Sequence, residues 1–407
     1  MTRWFSILAA VCAAAVTGLA EPLSIQQAVD KAISSHPLLE VESQRVLEAE
    51  GHRLQAGLRP NPVFVFQVEG LRAHGNPGFR FGQDADTFAY LQQPIETADK
   101  RGRRVDLAEQ RRRLAELAKE LATRRIVNRV RLAYWAASGA QRIRDLLIQD
   151  SNNFEKIVEY HRHRVQEGAM AEVDLIRIQI EAGRLELSAN SAALEADRAR
   201  IRLFESMGQS SFPPAQLSEP LDSDYRVAPY DLPEAVDRRV EVRIAQRAVE
   251  QARANERLQG AMSAPDVQAL FGYKRSAGFN TIVTGMQVDL PFWSRNQGSI
   301  AAARAEVRAA ESTLASTRAQ VQAEIVAAQA DYDIRRRQIS QYLKPLRERA
   351  RESSRIALAA YREGGTDLLR LLDAERARID AELLYFQTLA EFHRSAVSLE
   401  DAIGVWP

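Results

Sequence analysis

Apolar and polar positions change period abruptly along this chain. In TIVTGMQVDL, which starts at Thr281, Ile282, Thr284, Met286, Val288 and Leu290 fall on one face, and Val283, Gly285, Gln287 and Asp289 on the other. A period of two predicts a strand. Within a dozen residues the period becomes seven: Ile300, Val307, Leu314 and Val321 recur as a helical seam. After Val321 a step of four reaches Ile325, and sevens resume through Tyr332, Ile339 and Leu346. An earlier seam runs Leu107, Leu114, Leu121, then by steps of eleven to Leu132 and Ile143. Sevens impose a left-handed supercoil, and steps of four or eleven relax it toward straight helices. A helix of about 65 residues would be near 100 Å long, more than a globular domain needs.

The same junction of strand and long helix occurs twice. Pro94 and Pro291 lie 197 residues apart, Glu167-Gly168 and Glu363-Gly364 lie 196 apart, and Gly208 and Gly404 lie 196 apart. These landmarks interrupt the helical pattern, so their common spacing indicates a duplicated unit. The first copy is expected over 21–208, a Pro-rich linker over 209–231, and the second copy over 232–407. Each opens with a helical segment (24–58 and 232–259) and continues into two strands, about 61–70 and 86–95, then 265–275 and 280–290. Each then closes with a helical hairpin, about 99–207 (arms 99–166 and 171–207) and about 297–403 (arms 297–362 and 367–403). In the first strand Phe64, Phe66 and Val68 oppose Val63, Val65, Gln67 and Glu69. Some ten alternating residues suffice for a tilted strand to cross a bilayer, although an ordinary half-buried hairpin has the same pattern.

Composition narrows the setting. The chain has 407 residues, a net charge of +1 and 7% aromatic residues. No basic field points to nucleic acid, and the Ala/Arg/Glu/Leu bias suits long helices. Arg3, the apolar run WFSILAAVCAAAV and the small residues Gly18 and Ala20 predict a signal peptide over 1–20. Cys12, the single cysteine, lies inside it, and Val11 before it argues against a lipid-modified cysteine. A mature chain without cysteine has no disulfide and no thiol chemistry. No later run of eighteen apolar residues exists, so a membrane span must be built from strands. Four strands cannot close a barrel, and open edges are not tolerated in lipid. Three chains would pool twelve strands above a ring of long helices.

Three segments carry a resemblance to a known family. They are LSIQQAVDKAISSHPLLEVESQRVLEAEGHRLQAGLRPNP, DLPFWSRNQGSIAAARAEV and AYREGGTDLLRLLDAERARIDAELLYFQTLAEFHRSAVSLEDAIG. Together they resemble the TolC-type outer-membrane efflux family over nearly the whole mature chain. The RPNP opening and the short end after Gly404 look most like its heavy-metal efflux branch. The resemblance implies a mainly α fold with a small β part: a homotrimer with a twelve-strand barrel in outer-membrane lipid and an α-helical tube in the periplasm. It implies two partners, a periplasmic adaptor and an inner-membrane pump of the proton-driven RND type. The protein would conduct solutes passively, with heavy-metal cations ahead of drugs or type I-secreted polypeptides. A periplasmic coiled-coil adaptor is the alternative of a different class, but it would carry lipoyl-like and β-barrel modules at the ends of one hairpin.

By the same resemblance, the tube narrows at its periplasmic tip through acids, a tyrosine and an arginine. Asp174 and Asp373 fall at acidic tip positions and Tyr361 at the tyrosine. The chain departs at Arg370, where an acid is expected, and at Thr366, which replaces the usual arginine. Rings of carboxylates would favour cations. Gly168, Gly364 and Gly365 are expected to permit the reversals between helix arms, and Ala169 and Thr366 to sit on the adaptor-docking surface. The sequence HRHR at His161 reads as solvated helix charge, because histidines two apart diverge on a helix and no other ligand completes a metal site. No nucleophile elbow, phosphate loop or zinc-protease motif appears. Neither an enzyme activity nor a cofactor is expected.

Overall fold

The computed structural model describes residues 22–223 and 225–405. The expected signal peptide and Cys12 lie outside them. In chain order the elements are α1 (Ile25–Ser35), α2 (Pro37–Ala56), β1 (Val63–Glu69), α3 (Phe81–Asp84), β2 (Asp86–Ile95), α4 (Lys100–Gln166) and α5 (Glu172–Ser206). After the linker come α6 (Leu232–Arg238), α7 (Val240–Ala261), β3 (Val267–Ser276), β4 (Phe279–Val288), α8 (Gln297–Arg337), a π-helical turn (Gln338–Leu343), α9 (Lys344–Arg362) and α10 (Leu368–Ala402). The chain divides into two compact units. Among the described residues, one comprises 22–35, 127–223, 225 and 334–397, and the other comprises 36–126, 226–333 and 398–405. Each draws on both halves of the sequence.

Three expectations are corrected in detail. The opening segment 24–58 is two helices, because Pro37 starts a new one and the His36 imidazole accepts a hydrogen bond from the Leu38 amide. Its counterpart 232–259 also breaks, at Arg239, after Asp231 caps the first piece through the Glu234 amide. The long arm 297–362 is not continuous α-helix, since the π turn at Gln338–Leu343 interrupts it just ahead of Pro345. The wider turn shifts the seam. Val321, Ile325, Tyr332 and Ile339 are buried as expected, but Leu343 follows them into the interior while Leu346 is exposed.

The four strands form one antiparallel sheet in the order β1-β2-β3-β4. β3 and β4 meet through Ala277 and Gly278, both at positive φ (49° and 84°), the backbone of a tight two-residue hairpin. Directly opposed residues share a face. Phe64 opposes Leu91, Leu91 opposes Phe271 and Phe271 opposes Thr284, while the next row on that face joins Phe66, Ala89, Tyr273 and Ile282. The other face carries Gln67, Gln92, Gln268, Lys274, Thr281 and Gln287. The apolar face is bare within the chain: Phe64, Phe66, Ile282 and Met286 are 65, 63, 73 and 77% exposed. β1 and β4 each leave one edge unpaired.

Left-handed backbone explains how strand passes directly into helix. Asp99, just before α4, has φ 56°, and Asn296, just before α8, has φ 56°. Asp and Asn tolerate this region better than other side-chain-bearing residues. The first junction is fixed by Asp266, which accepts from the Thr97 amide (3.0 Å) and pairs with the Lys100 ammonium (2.7 Å). At the second, Asn296 Nδ2 donates to the Gln259 carbonyl at 2.8 Å. The exposed, edge-to-face rings of Phe292 and Trp293 stand beside it.

The unit that carries the sheet also holds a buried ionic cluster. Arg124 and Arg239 are each 4% exposed. Both bind Glu241: Arg124 through Nη2 (2.8 Å) and Arg239 through Nε (3.0 Å). Arg124 Nε lies 2.9 Å from Asp401. Arg239 also reaches Glu324 (3.0 Å) and donates to the Ala402 carbonyl (2.9 Å), which caps the end of α10.

Candidate functional site

Both helical hairpins turn in the same way, within the other unit. Gly168 (φ 73°) donates to the Val165 carbonyl and Ala169 to the Arg164 carbonyl. At the matching turn Gly364 (φ 75°) donates to Tyr361 and Gly365 to Ala360. This paired 5→2 and 6→1 bonding is the Schellman cap, which needs a left-handed residue and so selects glycine. The helices restart at Glu172 and Leu368, and Asp367 accepts from the Arg370 amide at 2.9 Å.

Tyr361 bridges toward α4. Its hydroxyl lies 2.9 Å from His161 Nε2, and His161 Nδ1 lies 2.8 Å from the Ile157 carbonyl. A carbonyl can only accept, so Nδ1 carries a proton and donates it to Ile157, while Nε2 is hydrogen-bonded to the tyrosine hydroxyl. His161 is not a solvated side chain, as the sequence suggested, but is 3% exposed. Its neighbour His163 does face solvent, 3.3 Å from Glu159. Burial raises the Tyr361 pKa, opposed by the positive charge of Arg164 and assisted by the negative charge of Asp174. The ring packs on an apolar core that includes Leu147, Phe154, Ile178, Leu368 and Leu372.

The tip thus gathers Tyr361, His161, Arg164 and Asp174, but not Asp373 or Arg370. Asp174 lies 3.6 Å from Arg177, and the mostly exposed Asp373 lies 3.7 Å from Arg376. Arg370 is exposed on the first turn of α10. The duplication pairs these charges in an unexpected way. Asp174 corresponds to Arg370 and Arg177 to Asp373, each 196 residues apart, so matched positions on the two hairpins carry opposite charges.

Three further polar rungs, not anticipated from the sequence, tie the arms together. Arg376 grips Glu181 with Nε at 2.9 Å and with Nη2. Arg378 joins Asp150 (2.9 Å) to Glu375 (2.8 Å), which accepts from Ser354 (2.6 Å). Glu382, 1% exposed, receives Arg347 at 2.9 Å and Arg351, and Arg347 lies over the Tyr385 ring at 4.4 Å. The heptad pattern marks apolar positions only, so it carried no signal for these pairs.

α5 is apolar on two sides. Leu175, Ile178, Leu185, Ala189, Ala196 and Leu203 are buried within the unit. Val173, Ile180, Leu187, Leu194 and Ile201, spaced by sevens, are all exposed. Among the described residues no helix is long and apolar enough to cross a membrane, and no group of three or more His, Cys, Asp or Glu is placed to hold a metal ion.

Comparison with known proteins agrees with this architecture. The chain is 23% identical over 388 residues to the cobalt-zinc-cadmium resistance protein CzcC of Cupriavidus metallidurans, which covers 95% of this chain and 91% of that protein. The solved structure of CusC superposes with a TM-score of 0.80 at 16% identity, covering 95% of this chain and 93% of that one. The open-state outer membrane channel MtrE of Neisseria gonorrhoeae superposes with a TM-score of 0.77 at 18% identity, covering 94% and 89%. A sequence model of the outer membrane efflux protein family matches residues 28–209 and 232–405, one segment in each half. An apolar-faced sheet run directly into long helical hairpins, together with that double match, places the chain in the outer membrane efflux protein family, with its sheet in the outer membrane and its helical tube in the periplasm.

Proposed function

We propose that this protein is the outer-membrane duct of a tripartite efflux system, and that it passes heavy-metal cations outward without chemistry. The carrying observation is the four-stranded sheet, with exposed apolar rows on one face, glutamines from all four strands on the other, and both edges unpaired. Unpaired backbone groups in hydrocarbon cost several kcal/mol each. Pairing β4 of one copy with β1 of the next removes every edge, and three copies give twelve strands with the glutamine-bearing face on a wet lumen. The exposed heptad row on α5 supplies an apolar surface for a neighbouring copy. The two sequence copies are the structural repeats, 21–208 and 232–407, on either side of a linker over 209–231.

The hairpin tips are the periplasmic end. Asp174, Tyr361, Arg370 and Asp373 form its gate, with His161 as the partner that holds Tyr361. The turns at Gly168, Ala169, Gly364, Gly365 and Thr366 dock the adaptor, which links the duct to an inner-membrane pump of the proton-driven RND type. The metal reading draws on the likeness to CzcC, a cobalt-zinc-cadmium resistance protein by name.

A deletion strain challenged with divalent metals and, separately, with hydrophobic drugs tests the cargo. Sensitivity confined to metals such as cobalt, zinc or cadmium is expected. Sensitivity to drugs and detergents alone would overturn the metal reading while leaving the duct intact. In the complemented strain, crosslinkers at Ala169 and Thr366 are expected to capture the adaptor, and a consistent failure to do so would remove the docking assignment.

A further inference from the structure

The end of the sheet where α3 lies between β1 and β2 gathers three arginines at the border of the lipid-facing surface. Alternation places Phe271, Tyr273 and Arg275 on the apolar face, with Arg275 last, opposite Thr87 and Asn280. Arg275 is exposed and has no carboxylate partner among the described residues. A Cβ added to Gly82 in α3 would lie 3.5 Å from an Arg275 guanidinium nitrogen, so that group rests against the loop joining β1 to β2. The same loop brings Arg72 and Arg80. The loop's own acid, Asp84, is already engaged by Arg72 (3.2 Å) and by the Arg80 amide (2.8 Å), while Glu69 and Asp86, opposed at the strand ends on the glutamine-bearing face, accept from Gln67 (2.6 Å) and from the Ala277 amide (3.3 Å). The Arg80 side chain is exposed between Phe79 and Phe81, whose rings meet edge to face at 6.4 Å. Arg80 and Arg275 make no ion pair among the described residues, and they stand beside aromatic rings at the edge of an apolar band.

Each of these features suits one kind of ligand. A guanidinium presents a planar fork that matches phosphate oxygens. Aromatic rings settle at the boundary between hydrocarbon and headgroups. A soluble anion would find the arginines but would make no use of the apolar rows beneath them. A lipid uses both, with acyl chains on Phe66, Ile282 and Phe271 and its headgroup on Arg80 and Arg275.

We propose that Arg80 and Arg275, flanked by Phe79, Phe81 and Tyr273, form a site for a phosphate-bearing lipid headgroup of the outer leaflet. This inference rests on the sheet lying in the outer membrane, but not on the cargo or on the gate. The purified full-length trimer, reconstituted in phosphatidylcholine nanodiscs doped with phosphatidic acid, provides the test through native mass spectrometry of retained lipid. Retained phosphatidic acid is expected to fall several-fold in Arg80→Gln and Arg275→Gln, and further in the double variant. Arg336→Gln, which removes an exposed charge from the helical hairpin, is expected to leave it unchanged. Equal retention by wild type and double variant would overturn the site. An equal loss in Arg336→Gln would reduce it to bulk charge. Displacement of the lipid by millimolar inorganic phosphate would make it a site for a free anion and would also overturn the proposal. Channel conductance in the double variant is expected to match wild type, which separates loss of this site from failure of the duct reading.

Discussion

Glu241 shows how one residue can carry acid sensitivity. Its burial would raise the carboxyl pKa, but hydrogen bonding and charge from Arg239, with charge from Arg124, more than offset this and hold it down to about 2. The folded value lies below the ordinary 4.5, so its contribution is fully present above pH 4.5 and is lost as the pH falls toward 2. A shift of that size corresponds to about 3 kcal/mol. Asp401 beside it is shifted the opposite way, raised by burial, and returns part of this on acidification. Comparing wild type with Glu241→Gln isolates the glutamate. Wild type is expected to be the more stable at pH 7, and the gap is expected to close between pH 4.5 and 2 in denaturant titrations. A constant gap across that range would show that Glu241 does not titrate as described.

The two hairpins share one cap chemistry but differ in tip charge. Gly168 and Gly364 make the same Schellman turns, while Asp174 and Arg177 in one hairpin correspond to Arg370 and Asp373 in the other. Alternating hairpins in a ring would then meet with opposite charges on both rungs, which favours closure. Asp174→Arg alone sets like charges at one rung and is expected to raise resting conductance in planar bilayers. Asp373→Ala removes one attraction and is expected to raise it less. Combining Asp174→Arg with Arg370→Asp restores the alternation and should recover low conductance, with a coupling on the order of 1 kcal/mol. A double variant as leaky as the single one would rule out pairing between hairpins.

At the scale of the whole molecule, three surfaces have no partner among the described residues: the apolar sheet face, the sheet edges and the outer seam of α5. Leu187 and Leu194 on that seam are 69 and 51% exposed. Burying a leucine contributes roughly 1.5–3 kcal/mol, so a seam of five such residues in three copies is a substantial interface. Leu187→Glu with Leu194→Glu should leave the helical content of the chain unchanged by circular dichroism, since neither side chain belongs to its own core. Light scattering in detergent is expected to show loss of the trimer. A trimer of undiminished stability would place the interface elsewhere.

The order of residues alone was enough for the alternating strands, the paired breaks at Gly168 and Gly364, and the 67-residue helix α4. Each of these depends on spacing along a single segment. The family resemblance, aligned on the matched turns, put Asp174 and Tyr361 near the tips. The sequence could not disclose that Tyr361 takes His161 as its partner, since that bond joins residues 200 positions apart and only helix packing aligns them. The same holds for the cluster of Arg124, Arg239 and Glu241, and for Glu382 between Arg347 and Arg351, whose charges look like ordinary helix surface until packing removes the water around them. The π turn also escaped, because its backbone gives no apolar signal of its own and shows itself only in the exchange of Leu346 for Leu343. Local period is a property of one segment, whereas burial and pairing of polar groups exist only once segments from distant parts of the chain meet.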